Sequence, residues 1–412
     1  MASSETADEA RDTTGDTPPP GGDAVVKAAS VPAPAPPAKG AETGESKGKI
    51  RVRIFARTDV GQVREHNEDN FLVADLTRRQ RGLLEANRAN LLGEHGVLLA
   101  VCDGMGGAAA GEVASQLAVD ILYERMVDGL EEGTPISRDA LALRLVRAVE
   151  LAGMRIFQEA KADRSRRGMG TTVTASALVD DHLFLAQVGD SRAYILRGKE
   201  LVQVTRDQSL VNQLIEAGQL TEEEAEHFEH NNIILQALGT ADTVQVDLTY
   251  VQVQPGDTLL LCSDGLSGMV RNDELRETLL AQSDPVEVCK ALTDRANQAG
   301  GHDNITVVIA QFEGDGLTST DSDLRYKKYP LPETNAEGQI IGGTTEEPTP
   351  VFGPGVQPVS DDAQPAGAKA AAQVYPEDQI EIPGTHVPVW LVILLVVGVI
   401  AVLGGAAAVL LR

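Results

Sequence analysis

Val101-Cys-Asp-Gly-Met-Gly-Gly107 is the stretch from which the organisation of this chain can be worked out. The apolar run at 96–101 predicts a buried strand, and residues 108–126 have the periodicity of a helix. Glycines beside Asp103 permit close backbone approaches that a Cβ atom forbids. The carboxylate and the carbonyls that follow it can therefore turn toward one point, as oxygen ligands of a divalent cation do. A tight strand-to-helix turn with a solvated Asp is the alternative interpretation.

The segments on both sides of this stretch predict strands interrupted by pairs of helices. Strands are expected at 51–57, 71–74, 168–179, 182–188, 193–196, 201–204, 244–253, 258–262 and 305–312. Helices are expected at 111–129, 137–162, 273–282 and 285–299, with a charged helical insertion at 78–94 and two short helical patterns within 207–239. Strands outnumber helices and hairpins outnumber crossovers, which favours an α+β layered sandwich over a doubly wound sheet.

Composition excludes some classes of function. The formal net charge is −26, which argues against a nucleic-acid-binding protein, because a polyphosphate backbone requires clustered Lys and Arg. The three cysteines, Cys102, Cys262 and Cys289, suit a reducing compartment. Cys102 and Cys262 each lie in an apolar run directly before an Asp, so we interpret them as small core residues.

The two ends of the chain differ in composition from the middle. Residues 1–48 are rich in Pro and Ala and predict a disordered segment without the apolar core of a signal peptide. A disordered acidic linker is expected at 314–386, after a folded domain at 49–313. Residues 387–411 carry no charge and as a helix would span about 37 Å, enough to cross a hydrocarbon core of about 30 Å. The sequence thus predicts a single-pass tail anchor with the folded domain in the cytoplasm.

Acidic residues recur in turns at the ends of predicted strands. Asp103, Asp190, Asp264 and Asp303 occupy four such turns, and Glu68-Asp69 precedes another strand. A single Asp at a strand end is usually a turn former, but strand ends of one sheet converge, and gathered carboxylates repel one another unless cations lie between them. With few His and no Cys cluster, the predicted site suits Mg²⁺ or Mn²⁺ rather than Zn²⁺.

Six short motifs in this order resemble those of the metal-dependent (type 2C) serine/threonine protein phosphatases, with the bacterial branch as the best match. They are Val63-Arg-Glu-His-Asn-Glu-Asp69, Asp103-Gly-Met-Gly-Gly107, Gly170-Thr-Thr172, Val188-Gly-Asp-Ser-Arg192, Ser263-Asp-Gly265 and Asp303-Asn-Ile-Thr306. The resemblance covers about residues 50 to 313. It implies a four-layer αββα sandwich of two mainly antiparallel sheets flanked by helix pairs, with two metal ions at one end.

The resemblance also implies a role for each matching residue. Asp103 would bridge two Mn²⁺ or Mg²⁺ ions, and the Gly104 carbonyl would bind the second. Asp264 and Asp303 would hold the first ion, while Glu68 would reach the second, with Asp69 beside it. Asp190 would contribute with Asp264 to a weaker third site. Arg64 would bind the substrate phosphate, since its planar fork matches phosphate oxygens.

The implied reaction is hydrolysis of phosphoserine and phosphothreonine in proteins. A water shared by two divalent cations becomes hydroxide near neutral pH and can attack phosphorus in line, so no covalent enzyme intermediate is required. Residues 206–230 would correspond to the mobile flap near the substrate in the family. Many bacterial members have a His where this chain has Ala108, and the flap motif often has a His where it has Gln208. These differences leave open which group protonates the leaving oxygen, with His66 and His302 as candidates.

Three functions are compatible with these motifs. The first is an active membrane-tethered phosphoprotein phosphatase, whose partners would be membrane-associated serine/threonine kinases, their phosphorylated substrates and the lipid bilayer. The second is a catalytically weak scaffold that binds phosphoproteins with the same fold. The third is a hydrolase of small phosphoesters. Asp103, Asp264 and Asp303 are all present, which favours an active enzyme over a scaffold, and the predicted anchor favours protein substrates near the membrane.

Overall fold

The structure is a computed structural model of the whole chain. It describes residues 48–83, 89–106, 110–225, 228, 232–319, 324, 326–335 and 340, and the structural statements below refer to these residues. The predicted N-terminal segment 1–48 and the predicted transmembrane helix 387–411 therefore lie, apart from residue 48, outside the described residues, as does Ala108.

Fifteen strands are found among the described residues. The first eight, in chain order, are β1 Arg51–Asp59, β2 Asn70–Asp75, β3 Gln80–Arg81, β4 Ala89–Leu91, β5 Val97–Cys102, β6 Gly104–Met105, β7 Gly170–Thr171 and β8 Val173–Val179. They are followed by β9 His182–Val188, β10 Arg192–Arg197, β11 Glu200–Gln203, β12 Asp247–Gln252, β13 Thr258–Cys262, β14 Ile305–Glu313 and β15 Lys327–Lys328.

Two long and five shorter helices are found among the described residues. They are α1 Ala110–Val127, α2 Arg138–Ala162, α3 Leu210–Glu216, α4 Glu222–Ala225, α5 Asp264–Ser267, α6 Asn272–Ala281 and α7 Pro285–Gln298. Their starts follow capping rules: Ser137 accepts a hydrogen bond from the Ala140 N–H at the start of α2, and Asp284 caps α7 ahead of Pro285. Such a cap stabilises a helix by about 1 kcal/mol.

The strands form two antiparallel sheets and a short ribbon. The first sheet has the order β11-β10-β13-β14-β1-β4 and the second the order β15-β12-β9-β8-β5-β2-β3, while β6 pairs with β7. Every pairing between these strands is antiparallel. The prediction of an α+β fold with mainly antiparallel sheets is confirmed.

Alternation along single strands shows how the layers stack. In β5, Leu98 and Ala100 face the core that contains α1 and α2, whereas Leu99 and Val101 face the core shared by the two sheets. In β14, Val308 faces this shared core, and its neighbours face a third core formed with α6 and α7. Side chains of a strand point alternately to its two faces, so these three cores separate four layers, as the predicted αββα sandwich requires.

The charged helical insertion predicted at 78–94 is wrong for the residues that the structure describes. Arg79 has φ 51° and Gly82 has φ 105°, and a right-handed helix requires negative φ. This segment instead supplies β3 at the edge of the second sheet and β4 at the edge of the first. Its charges are explained by exposed edge positions, where strands are short and polar.

Ordered structure continues beyond residue 313, where the sequence predicts the start of a linker. Leu317 and Leu324 are buried in the core between the sheets, and β15 pairs with β12. Tyr329 then packs edge-on against Phe184, with ring centroids 4.9 Å apart. The folded domain therefore includes residues up to at least this tyrosine, and the linker begins later than predicted. No helix within the described ranges is long and apolar enough to cross a membrane.

Candidate metal centre

The acidic residues predicted from the sequence meet at one end of the two sheets. Asn70 pairs with Cys102 in the second sheet, so Asp69 and Asp103 lie at the same edge. Cys262 pairs with Val307 in the first sheet, which places Asp264 and Asp303 together in the same way. Asp190 lies in the turn between β9 and β10. The antiparallel register thus gathers carboxylates from strand ends that are distant in the sequence.

Asp69 joins the two sheets at this end. Its Oδ2 atom accepts hydrogen bonds from Ser263 Oγ and Thr306 Oγ1, both at 2.7 Å. Thr306 donates its one hydroxyl hydrogen to Asp69 and must therefore accept from Thr58 Oγ1, 2.8 Å away, which in turn accepts from Asn67 Nδ2 at 2.8 Å. This chain of hydrogen bonds fixes the orientation of a carboxylate that is only 4 % exposed.

The pKa of Asp69 is raised to about 7. Burial is the largest cause, the two hydroxyl donors lower the pKa, and the charges of Asp264 and Asp303 raise it again. Its second oxygen, Oδ1, is buried and has no hydrogen-bond partner among the described residues. A buried carboxylate with one oxygen unpaired is costly unless a positive charge approaches it.

The carboxyl groups of Asp103 and Asp264 lie close enough to interact with each other. Burial, followed by the charges of Asp69 and Asp264, raises the pKa of Asp103 well above its ordinary value. The backbone of Asp103 is held on both sides: its N–H donates to Thr172 Oγ1 at 3.0 Å, and its carbonyl accepts from the Thr172 N–H at 2.8 Å. Two neighbouring carboxylates repel each other, and a cation between them would relieve this repulsion.

Glu68 and the glycines near it form a crowded backbone junction. A Cβ atom on Gly104 would lie 2.3 Å from the Gly111 carbonyl oxygen and 2.4 Å from that of Glu68. A Cβ atom on Gly111 would lie 2.8 Å from the Glu68 carboxylate. Burial raises the pKa of Glu68, and the charge of Arg64 lowers it. Glycine is therefore required in this part of the motif because backbone atoms occupy the space of a side chain.

Arg64 and Asp303 form an ion pair at the edge of the centre. The distance from Arg64 Nη2 to Asp303 Oδ2 is 2.7 Å, and about half of the Arg64 side chain is exposed. The other oxygen of Asp303 accepts from the Asn304 N–H at 2.8 Å. The structure therefore places the predicted phosphate-binding cation directly beside a predicted metal ligand, with its remaining donors facing solvent.

Asp190 lies near the charges of Asp207 and Arg192, at the start of the predicted flap 206–230. Burial and the charges of Asp264 and Asp207 raise the pKa of Asp190 to about 7, and its Oδ1 has no hydrogen-bond partner among the described residues. Arg192 binds Asp207 through Nε at 2.8 Å. Gln208 accepts from the Gly189 N–H at 2.9 Å and from Gln236 Nε2 at 2.9 Å, so it fixes the flap to this turn.

A cleft of about 860 Å³ opens between the acidic centre and the flap. The centre contributes Asp190, Asp264 and Asp303 to its wall, and α3 and α4 contribute flap residues. His302 also lines this cleft, whereas His66 is an exposed loop residue whose carbonyl accepts from Asn304 Nδ2. Of the two candidate proton donors, His302 is therefore the one placed at the cleft.

The donor set fits divalent cations of the Mg²⁺ and Mn²⁺ kind. Three buried carboxylate oxygens, one each from Asp69, Asp190 and Asp264, have no hydrogen-bond partner among the described residues. The carboxylates that meet at this end of the sheets offer oxygen ligands, which hard cations prefer. No group of three His, Cys, Asp or Glu residues in the described ranges has ligand geometry as it stands. In this arrangement one oxygen of Asp303 is bound to Arg64.

Some residues of this centre belong to the sequence motifs, but the motifs alone assign them no role. Ser263, Thr306 and Thr172 hold the carboxylates or their backbone through the hydrogen bonds given above. Their positions within the Ser263-Asp-Gly265, Asp303-Asn-Ile-Thr306 and Gly170-Thr-Thr172 motifs were the available signal. Their function as donors depends on tertiary contacts between strands far apart in the sequence.

An oxygen-rich acidic centre of this kind suits the divalent cations with which metal-dependent hydrolases activate water. Residues 88–302, just over half of the chain, match the family model described as Protein phosphatase 2C. The chain belongs to the protein phosphatase 2C family. It is accordingly an enzyme of the protein serine/threonine phosphatase class, which works with two divalent metal ions.

Named relatives agree with this assignment. The chain is 37% identical over 256 residues to the serine/threonine phosphatase stp of Listeria monocytogenes, a match that covers 62% of this chain and 94% of that one. It is 40% identical over 263 residues to the protein phosphatase PhpP of Streptococcus pneumoniae, covering 63% and 98%.

Solved structures give the same result. The crystal structure of the Mycobacterium tuberculosis serine/threonine phosphatase PstP/Ppp matches with a TM-score of 0.54 at 36% identity, covering 64% of this chain and 99% of that one. A structure of the catalytic domain of PstP in complex with two manganese ions matches with a TM-score of 0.53 at 35% identity, with the same coverage.

Proposed function

We propose that this phosphatase removes phosphate from phosphoserine and phosphothreonine of proteins at a membrane surface. The observation that carries the catalytic part is the set of buried carboxylates from both sheets, three of which have an oxygen with no partner among the described residues. When bound there, two divalent cations supply Lewis acidity and lower the pKa of coordinated water. Asp69, Asp103, Asp264 and Asp303 would hold them, with Glu68 and the Gly104 carbonyl at the second ion and Asp190 at a weaker third site.

The chain's own residues prepare this centre before substrate arrives. Ser263 and Thr306 hold the Asp69 carboxylate, and Thr172 holds the backbone of Asp103, so these two groups are oriented before charge develops. Arg64 is half exposed and bound through one nitrogen, which leaves guanidinium donors for the phosphoryl oxygens of a substrate. In this role Arg64 orients the phosphate and offsets its charge.

Three residues that could have served as protein nucleophiles are excluded. Cys102 and Cys262 are buried in the core, and burial raises the pKa of each thiol, that of Cys262 to about 12. Ser191 is fully buried and its hydroxyl is hydrogen-bonded to Thr172 Oγ1 at 2.8 Å. Attack by water rather than by one of these side chains is therefore the mechanism that the site favours.

The catalytic part is tested by phosphate release from phosphothreonine and phosphoserine peptides by the purified full chain. Release should require Mn²⁺ or Mg²⁺, stop on addition of EDTA, and fall by at least about a hundredfold in Asp264→Asn. Asp294→Asn, a change of the same kind on α7, is the matched control and should retain activity. A folded chain that releases no phosphate with either metal would leave a phosphoprotein-binding scaffold as the function.

The membrane part rests on the sequence. Residues 387–411 are uncharged and long enough to cross a bilayer as a helix, so we propose a single-pass anchor with the catalytic domain in the cytoplasm. Membrane-associated serine/threonine kinases and their substrates are the partners that such an anchor brings within reach. The full chain should remain in the membrane fraction after a high-salt wash, and a chain ending at residue 386 should be released. Recovery of the full chain in the wash would refute the anchor.

A further inference from the structure

A basic surface lies next to the catalytic centre of this strongly acidic protein. Residues 155–167 contain five Arg or Lys residues and two acidic ones, whereas the chain as a whole has a net charge of −26. The basic residues are Arg155, Lys161, Arg164, Arg166 and Arg167, at the end of α2 and in the 3₁₀ turn Arg164–Arg166. We call this segment the basic turn.

Ion pairs within the basic turn use its two acidic residues and leave two of its arginines unpaired among the described residues. Arg166 binds Glu159 at 3.3 Å and Asp163 at 3.7 Å, and Arg155 binds Glu159 at 3.6 Å. Asp163 also accepts hydrogen bonds from the backbone and the side chain of Ser165, which fixes the turn. Arg164 and Arg167 are exposed and have no ion-pair partner among the described residues. The turn thus carries two positive charges that no acidic side chain among the described residues neutralises.

The chain that follows the basic turn leads directly into the centre. The Met169 N–H donates to the Arg166 carbonyl at 3.1 Å, and Met169 itself is fully buried. Gly170 pairs with Met105 in the β6–β7 ribbon, and Gly104 of that ribbon directly follows Asp103. Two residues separate Arg167 from Gly170, so their Cα atoms are at most roughly 10 Å apart. The basic turn is therefore tethered within a short distance of the metal-binding carboxylates.

We infer that the basic turn binds an acidic segment of the substrate protein next to its phosphorylated residue. A phosphorylated residue carries close to two negative charges and must approach a protein that is itself acidic, so a fixed positive surface near the centre both steers and orients it. The tether length and the reach of an arginine place this contact about three to five residues from the phosphorylated one. The inference rests on the proposed phosphatase function and adds a determinant of specificity to it.

The test compares two phosphothreonine peptides that differ only in glutamate or glutamine at positions three to five on either side of the phosphothreonine. The full chain and Arg164→Gln/Arg167→Gln are assayed with Mn²⁺. The control is Arg51→Gln/Arg276→Gln, which removes the same charge from two exposed arginines on the first sheet and α6. For the unmodified chain KM should be lower for the acidic peptide, and this preference should weaken as salt is raised. Arg164→Gln/Arg167→Gln should raise the ratio of the KM for the glutamate peptide to the KM for the glutamine peptide about fivefold. The control variant should leave this ratio unchanged.

Each other outcome contradicts the inference in a distinct way. Equal KM values of the unmodified chain for the two peptides would show that no acidic segment is recognised. A loss of preference in the control as well would assign the effect to overall charge. If the basic-turn variant keeps the preference but sediments less with phosphatidylglycerol vesicles, relative to phosphatidylcholine vesicles, the surface faces lipid. Absence of turnover of both peptides by the unmodified chain would refute the phosphatase function itself.

Discussion

Thr306→Val tests how far hydrogen bonds behind the carboxylates determine metal binding. Valine has nearly the shape of threonine, so the substitution removes one donor to Asp69 and leaves the packing of β14 in place. Asp69 Oδ2 would retain its hydrogen bond from Ser263 and lose the one of 2.7 Å from Thr306. The hydroxyl of Thr58, 2.8 Å from Thr306, would also lose its acceptor.

The size of the effect follows from the charge of the acceptor. A hydrogen bond to a charged group contributes about 1.5–3 kcal/mol, and every 1.4 kcal/mol is about a factor of ten in an equilibrium constant. If the free energy of the lost hydrogen bond appears as weaker metal binding, the dissociation constant for Mn²⁺ should rise roughly ten- to a hundredfold. This is the range found when hydrogen-bond partners of metal ligands are removed. Activity should return at saturating Mn²⁺.

Isothermal titration calorimetry of the purified full chain with Mn²⁺ measures this change in the dissociation constant. Thr293→Val is the matched control, because Thr293 is also fully buried and donates to a backbone carbonyl, that of Cys289, at 2.8 Å. It should destabilise α7 without changing metal affinity. The reasoning is refuted if folded Thr306→Val binds Mn²⁺ within about twofold of the unmodified chain, or if Thr293→Val weakens binding equally.

Three further predictions concern the stability of the fold. Gly104→Ala should cost about 2–3 kcal/mol of unfolding free energy, seen as a lower Tm, because the new Cβ would meet two backbone carbonyl oxygens. Gly198 is the control: it has φ 59°, but a Cβ there would meet nothing, so Gly198→Ala should cost only about 1 kcal/mol. Tyr329→Ala should lower the stability by about 2 kcal/mol, and a chain ending at residue 313 should show at least the same loss; an unchanged Tm in both would mean that β15 does not belong to the domain. Burial alone would raise the pKa of Asp181, but hydrogen bonds from His182 and Gln252 outweigh it and hold the pKa below its ordinary value. The stabilisation by the ionised Asp181 is therefore present above the unfolded pKa of about 4 and is lost as the pH falls from there toward the lowered folded pKa. Asp181→Asn should cost about 2 kcal/mol of unfolding free energy at pH 7 and progressively less in acid. A pH-independent difference between the two chains in urea unfolding would contradict this.

Hydrophobic periodicity was sufficient to predict most elements of the sandwich. The run at 96–101 became β5, and the helices predicted at 137–162 and 285–299 agree with α2 and α7 to within about a residue, because cores on both faces of each sheet impose regular patterns. The helix predicted at 78–94 was wrong because the charged residues there were interpreted as the exposed surface of a helix. Positive φ values at Arg79 and Gly82 exclude a helix. β15 was missed since a two-residue edge strand has no periodicity to detect.

The acidic centre could be predicted for a different reason. Strand ends converge in any sheet, so the Asp residues that follow or precede apolar runs were expected to meet, and the register of β2 with β5 and of β13 with β14 brings them together. What the sequence could not supply was the set of partners: the ion pair of Arg64 with Asp303 and the hydrogen bonds from Ser263 and Thr306 depend on how the two sheets are stacked.

The number of Mn²⁺ ions bound by the folded chain tests the central claim most directly. The claim is that carboxylates from both sheets, unpaired on three buried oxygens, form a centre for two divalent cations. Equilibrium dialysis of the full chain against Mn²⁺ should give two ions per chain at saturation, with a weaker third at high concentration, and Asp103→Asn should lose both of the tight ions because Asp103 would bridge them. A folded, unmodified chain that binds no Mn²⁺ at millimolar concentration would contradict the account.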